Sequence, residues 1–383
     1  MTTSSSADTS SVDPSSANPF LRFRHRLDSY DAVRRGDLTD DQFVSVVTEL
    51  DAAVALADGH GHGFVETPVI AGDELAAEAG LDLDLLIKAE PHNVGGSHKA
   101  RHLMGVAIQM KVAEVLGAAL PERLAIASCG NAAIGASVVA RALDLPLDVF
   151  VPTWAGDSVL DPLRGLGAEI HQCERRPGEA GDPCYLRFSD AVATGSTAFS
   201  VQGSDTPSTF DGGRTLGWEL AEQVAELDAI YVQVGGGALA TAVGMAMPDV
   251  ALFPVQAEGC APLRRAWDLL APGFDFDAAR ANPAAYMWPW DDPHSYATGI
   301  LDDITYDWLP LIQATHASGG EPIVAPESLI VRAHRLAKMT TDIPVCSTGA
   351  AGLAGLMQQP PQRSGDGRRQ RVALLFTGVD RTI

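Results

Sequence analysis

"EPHNVGGSHKARHLMG", residues 90–105, decides how the chain reads. Two glycines, a serine and a histidine crowd against Lys99, and an apolar helical pattern follows. A surface lysine needs no such approach. A lysine that must meet a ligand at one geometry does. Lysine becomes a nucleophile when it is desolvated or set near other positive charge. Lys99 therefore reads as a Schiff-base lysine at a helix start, weighed against an ordinary first-turn surface lysine.

Outward from this stretch the chain alternates. "DLLIKAE" (84–90) is a short apolar run that reads as a buried strand, and Lys99 to about Leu116 as a helix. Then come strand 123–128, helix 131–143, strand 146–152, helix 157–167, strand 168–173, a helix near 183–193 and strand 197–202. Helix 211–225, strand 229–237 and strand 250–258 continue the rhythm. Such alternation predicts an α/β fold with open parallel sheets. Residues 271–322, rich in Pro, Asp, Trp and Gly, break it and read as a long irregular connection or lid. Helices are expected again at 326–339 and 348–357, then a polar loop at 358–370 and a last buried strand at 371–380. Upstream, "TDDQFVSVVTELDAAVALA" (39–57) reads as an amphipathic helix capped by Thr39.

Composition narrows the function. The chain has 383 residues, 46% hydrophobic and 20% charged, enough for two packed domains or one large one. Its net charge of −22 repels nucleic acid and anionic membrane, so neither is an expected partner, and an anionic substrate would need a local positive site. No apolar run reaches membrane-spanning length. The Ser/Thr-rich residues 1–18 lack a basic n-region and an apolar core, and read as a disordered tail rather than a signal peptide. Five scattered cysteines without CxxC spacing argue against a disulfide framework or a zinc site and fit a reduced cytoplasm. His60 and His62 in "DGHGHGF" (58–64) are the best metal candidates, but no further ligand stands near them, so a Gly-rich turn is expected and no metal.

Three more stretches carry chemistry. In "VQVGGGALA" (232–240) a strand runs into Gly235, Gly236 and Gly237 before a helix, which lets backbone N–H groups converge on an anion. Gly235, Gly237 and Ala240 also fit a dinucleotide fingerprint, with Glu258 about 20 residues on. In "ASCGNAAIG" (127–135), Ser128, Gly130 and Asn131 offer a hydroxyl, an N–H and an amide at a helix start, able to hold a carboxylate or a ring hydroxyl. Thr377 and Gly378 lie at the end of the last strand, where open α/β sheets bind ligands. One lysine, two anion cradles and a neutral hydroxyl suit an aldehyde cofactor with a phosphate tail, acting on a carboxylated substrate.

These motifs, in this order over residues 65–383, resemble the fold type II pyridoxal-phosphate enzymes. This is the tryptophan synthase β-subunit-like superfamily, which includes threonine synthase and the serine/threonine dehydratases. "NVGGSHKAR" is similar to the family's lysine segment, which implies that Lys99 binds the cofactor, with His98 beside the phosphate. "SCGNAAIG" resembles the Ser-Ser-Gly-Asn loop. That implies Asn131 on the ring hydroxyl, and Ser128, Cys129, Gly130 and Ala132 around the substrate carboxylate. "VGGGALA" resembles the phosphate cup, with Gly235, Gly236, Gly237 and Ala238 in it, Ala238 standing for a fourth glycine. "LLFTGVD" resembles the terminal Ser/Thr-Gly strand and implies Thr377 against the pyridine nitrogen. Cys129 and Ala132 depart from the residues common there, and "SYATGILDDITYDWLP" (295–310) matches no well-characterised member.

The resemblance implies pyridoxal 5'-phosphate, a small amino-acid substrate and two open parallel-sheet α/β domains. Residues 19–105 with 201–383 would form the large cofactor-binding domain, and 106–200 a smaller mobile one. A homodimer is one assembly it leaves open. A neutral Thr377 makes the ring a weaker electron sink than an aspartate would, which favours prompt loss of a β-substituent. β-Elimination or β-replacement is expected, with γ-chemistry of the threonine synthase kind left open and Lys99 as general base. Asp380 would reverse that argument if it faced the ring nitrogen. Arg101, His102 and Arg187 are basic candidates for a second anionic group, against a structural role for each. Two rivals remain at this point: a NAD-dependent dehydrogenase on the Gly235 loop, which leaves Lys99 unexplained, and a catalytically silent pyridoxal-phosphate-binding protein, against which the intact lysine argues.

Overall fold

A computed structural model describes residues 16–179, 181–361 and 367–381. Most of the expected tail, 1–15, and part of the polar loop, 362–366, lie outside them. Ten strands are present among the described residues: β1 (Val69–Ala71), β2 (Asp84–Ala89), β3 (Leu124–Ala127), β4 (Leu147–Pro152), β5 (Glu169–Cys173), β6 (Thr197–Ala198), β7 (Ala229–Gln233), β8 (Ala251–Ala257), β9 (Ile323–Ala325) and β10 (Arg371–Phe376). They form two sheets, ordered β1-β2-β10-β7-β8-β9 and β5-β4-β3-β6. Every pairing is parallel except β1 on β2, an antiparallel edge. Parallel strands buried on both faces need continuous apolar runs, as in "VALLF" of β10 and "AIYVQ" of β7.

In the larger sheet β10 inserts between β2 and β7, so strands distant in sequence end side by side. Phe376 pairs with Ala89, and Leu374 with Tyr231. The loops leaving β2, β10 and β7 carry Lys99, Thr377 and the Gly235 turn, all at the carboxyl edge where such sheets bind ligands. The smaller sheet presents Ser128 and Cys129 after β3.

The helix Asp40–Asp58 begins where its sequence predicts. Thr39 Oγ1 accepts the Gln42 N–H at 3.2 Å and Gln42 Oε1 accepts the Thr39 N–H at 2.9 Å, a reciprocal cap. Its buried face, Phe43, Val46, Val47, Leu50 and Val54, packs on the helices Lys99–Val115 and Asn131–Ala142. Residue Asn18, within the expected tail, caps the helix Pro19–Arg22 through its side chain.

Some elements differ from expectation. The strand expected at 197–202 pairs only over Thr197–Ala198 before the chain turns. Residues 271–322 are not wholly irregular: helices Phe276–Ala281 and Trp308–Ala317 stand in them, the second burying Trp308, Leu311 and Ile312. β1 and β9, three residues each, are too short to show periodicity. The helix Lys99–Val115 runs across the expected boundary at residue 105. No helix among the described residues is long and apolar enough to cross a membrane.

Candidate active site

The lysine loop is held from several sides. Asn93 Oδ1 accepts the Val94 N–H at 2.8 Å and opens a turn in which Gly95 and Gly96 take φ of 65° and 70°. This left-handed backbone favours glycine. The loop then zips to the chain after β10: the His98 N–H donates to the Thr377 carbonyl at 3.1 Å and the Val379 N–H to the Gly96 carbonyl at 2.9 Å. Lys99, the first residue of its helix, is half-buried. Burial lowers the pKa of its ammonium, opposed by the carboxylates of Asp302 and Asp307. Burial, then Lys99, also pushes down the neighbouring imidazoles, His102 to about 3 and His98 well below its ordinary value, so both are neutral.

Behind the loop lies a charge cluster shut off from water. Arg101 donates from Nε to Glu90 Oε2 at 2.9 Å and from Nη1 to Glu219 Oε1 at 2.6 Å, and Lys88 Nζ donates to Glu219 Oε2 at 2.6 Å. All four side chains are fully buried, and the two cations balance the two carboxylates. Asn93 Nδ2 donates to Glu90 Oε2 at 2.8 Å, which ties the cluster to the loop turn. Arg101 is thus committed to protein partners. So are His102, whose Nδ1 lies 2.9 Å from the Thr209 carbonyl, and Arg187, 2.7 Å from Glu179. These contacts occupy Arg101, whereas His102 Nε2 stays buried without a hydrogen-bond partner and, on a neutral ring, offers no charge to an anion.

The loop after β3 brings Ser128, Cys129, Gly130 and Asn131 to the start of the helix Asn131–Ala142, all half-buried, with Ala132 buried beneath them. Burial, then Asp182, keeps the Cys129 thiol neutral by raising its pKa. Asn131 Oδ1 accepts from Arg381 Nε at 3.2 Å.

The glycine loop lies against the carboxylate of Asp302. A Cβ on Gly235 would stand 2.2 Å from Asp302 Oδ2, so only glycine fits under that carboxylate. The Gly236 N–H donates to Asp302, whose carboxyl burial pushes up to about 6. Asp307, also raised to about 6 by burial, accepts the Gly203 and Ser204 N–H groups at 3.1 and 3.0 Å. Gly237 (φ 101°) leads into the helix that begins at Ala238.

Thr377 is 3% exposed, and its Oγ1 accepts from Gln233 Nε2. With that lone pair used, the hydroxyl proton is free to be donated. Asp380 faces elsewhere: its Oδ2 is 3.2 Å from Lys338 Nζ and 3.8 Å from His334 Nε2. Glu258, the acidic member of the dinucleotide reading, caps a helix instead, its Oε1 accepting the Glu327 N–H at 2.8 Å. His60 Nδ1 pairs with Asp58 Oδ2 at 2.6 Å at the surface. Asp148, Glu169 and His171 come within metal-ligand distance of one another, but Arg123 Nη1 donates to both carboxylates at 2.8 Å.

Sequence reasoning missed Asp302, Asp307, Gln233, Asp58 and Arg381. The acidic run "DDITYD" in the unmatched 295–310 stretch was a signal for the first two, and a glutamine inside a buried strand for the third. Nothing local marks Asp58 or Arg381.

The donor set fits pyridoxal phosphate: an amine of lowered pKa, a backbone cradle that already binds a carboxylate, a neutral hydroxyl with a proton to give, and an amide. At the edge of an open parallel sheet this set defines a cofactor-dependent α/β enzyme. The chain belongs to the pyridoxal-phosphate dependent enzyme family, whose model matches residues 62–378. That family accounts for Lys99, which the dehydrogenase reading did not.

Relatives are distant. The biosynthetic L-threonine dehydratase of Haemophilus influenzae is 26% identical over 259 residues, covering 66% of this chain and 46% of its own length. The β-hydroxyaspartate dehydratase of Paracoccus denitrificans is 26% identical over 322 residues, covering 82% and 90%. The chain spans about half the length of the threonine dehydratases it matches. Maize serine racemase shares the fold, with a TM-score of 0.66 at 19% identity over 88% of this chain and 92% of the other.

Proposed function

We propose that the protein is a lyase acting on a small amino acid by β-elimination, in the manner of dehydratases and ammonia-lyases, with β-replacement or threonine synthase-like chemistry on the same site as the second form. When bound, pyridoxal phosphate supplies an aldehyde that exchanges amines and a ring that withdraws electron density from the α-carbon. Lys99 would hold it, the Gly235–Ala238 turn would take its phosphate, Asn131 its ring hydroxyl and Thr377 its ring nitrogen, with His98 neutral beside them. Loop 128–132 would hold the substrate carboxylate through Ser128 and backbone N–H groups. The Lys99 amine, once displaced by the substrate's, accepts the α-proton at Nζ, a role its lowered pKa favours. Thr377 would donate a hydrogen bond without carrying charge. This would leave the ring a modest sink and favour early loss of the β-substituent, after which water hydrolyses the released imine to a 2-oxo acid and ammonia.

The observation that carries the reading is the half-buried Lys99, its ammonium destabilised, on a loop bonded directly to Thr377. The relatives' names point to hydroxy amino acids. The experiment is an assay of ammonia and 2-oxo acid release from serine, threonine and 3-hydroxyaspartate by the purified holoenzyme. Release from one of them, lost in Lys99→Ala, supports the reading. A holoenzyme that releases nothing from any of them, but consumes an O-substituted homologue, supports the replacement form instead.

A further inference from the structure

Two residues outside the matched span 62–378 hold the lysine loop at both ends of one glycine. Asp58 ends the helix Asp40–Asp58, and its Oδ1 accepts the Gly95 N–H at 2.9 Å. Arg381, beyond β10, donates from Nη2 to the Gly95 carbonyl at 2.6 Å and from Nε to Asn131 Oδ1 at 3.2 Å. A Cβ on Gly96 would stand 2.9 Å from Arg381 Nη2, so the guanidinium lies close against the loop. Asp58 also attracts Arg381 electrostatically across Gly95. Four parts of the chain therefore meet here: the N-terminal helix, the lysine loop, the C-terminal segment and the first residue of the helix after β3.

Because Arg381 occupies Asn131 Oδ1, the Asn131 amide has only one orientation left. Its Nδ2, with two protons, turns the other way and lies 2.6 Å from where a Cβ on Gly378 would be, beside Thr377. An arginine can span two acceptors at once because its donors form a rigid fork, whereas a lysine offers one point charge.

We infer that Arg381 and Asp58 are positioning residues: Arg381 sets Asn131 as a hydrogen-bond donor toward the cofactor's ring oxygen, and the pair fixes the Gly95 turn that leads to Lys99. This rests on the cofactor reading above. It assigns work to a helix and a C-terminal arginine that the family match does not include.

The test is a titration of cofactor-free protein with pyridoxal phosphate, followed by absorbance. It compares wild type, Arg381→Met, Asn131→Ala and the double variant, with unfolding midpoints measured alongside. Arg381→Met is expected to bind roughly 10–100-fold more weakly, the worth of a hydrogen bond to a charged group. The double variant is expected to lose less affinity than the two single losses added together, because Arg381 acts in part through Asn131. Arg381→Lys, which keeps the charge and is the variant to use should Arg381→Met not fold, is expected to lose affinity while keeping its unfolding midpoint. Additive losses in the double variant, or unchanged affinity in Arg381→Lys, overturn the inference and leave the functional reading standing. A wild type that takes up no pyridoxal phosphate overturns the functional reading itself.

Discussion

Thr377 shows how one side chain decides two things. Its Oγ1 satisfies Gln233 Nε2, whose partner atom Gln233 Oε1 already has no hydrogen-bond partner. Thr377→Val would leave the buried amide without a hydrogen-bond partner at either end. A loss of about 1–3 kcal/mol is expected in chemical denaturation, and an unchanged midpoint would show that water reaches Gln233. Asp302 gives a pH prediction. Its folded-state pKa of about 6 lies above the ordinary 3.8, so the folded state binds a proton that the unfolded state has released between these values. The contribution of Asp302 to stability is then present below about pH 4 and lost as pH rises to about 6. Asp302→Asn should flatten that part of the curve, leaving the similar contribution of Asp307. The same slope in wild type and variant would contradict the assignment. An ionised Asp302 would also compete for the Gly236 N–H with the cofactor phosphate proposed to bind there. Lys99, Asn131, Thr377 and the glycines of the candidate site could be proposed from sequence because each sits in a short motif at an element boundary. Asp302 and Gln233 were not, because what makes them part of the site is contact across the fold.

At the scale of elements, the lysine helix is anchored by charge rather than by apolar packing alone. Arg101, Glu90, Glu219 and Lys88 join the lysine helix, the end of β2 and the helix Thr209–Gln223. Removing one partner leaves a buried carboxylate unpaired, so Arg101→Met is expected to cost about 3–5 kcal/mol. Thermal unfolding of the cofactor-free protein reads this directly, and a loss under 1 kcal/mol would mean that water or a neighbour compensates. The sequence could not assign this role. A basic residue in the first turn of a helix looks the same whether it meets a substrate or a glutamate 118 positions away. Long periodic elements such as Asp40–Asp58 were read to within a residue or two, while the three-residue strands at the sheet edges, defined by pairing and not pattern, and short helices such as Asp73–Ala79, Pro262–Leu270 and Trp308–Ala317 escaped.

Across the whole molecule, the larger sheet supplies Lys99, Thr377 and the glycine loop, and the smaller one supplies residues 128–132. The α/β class and the parallel sheets were legible from alternation, but the insertion of β10 between β2 and β7 was not, because strand order leaves no local trace. We propose that the unit expected at 106–200 closes on an amino acid held between the two sheets. Hydrogen exchange at 128–132 should slow when the amino acid that is consumed is added to the holoenzyme, and equal exchange would argue for a rigid site. The central claim is that Lys99 carries the cofactor, and the absorption spectrum of the protein loaded with pyridoxal phosphate, beside Lys99→Ala, tests it most directly. A visible band in the wild type that is absent from Lys99→Ala is the predicted result. A band that persists in Lys99→Ala, or a wild type that stays colourless, would contradict it.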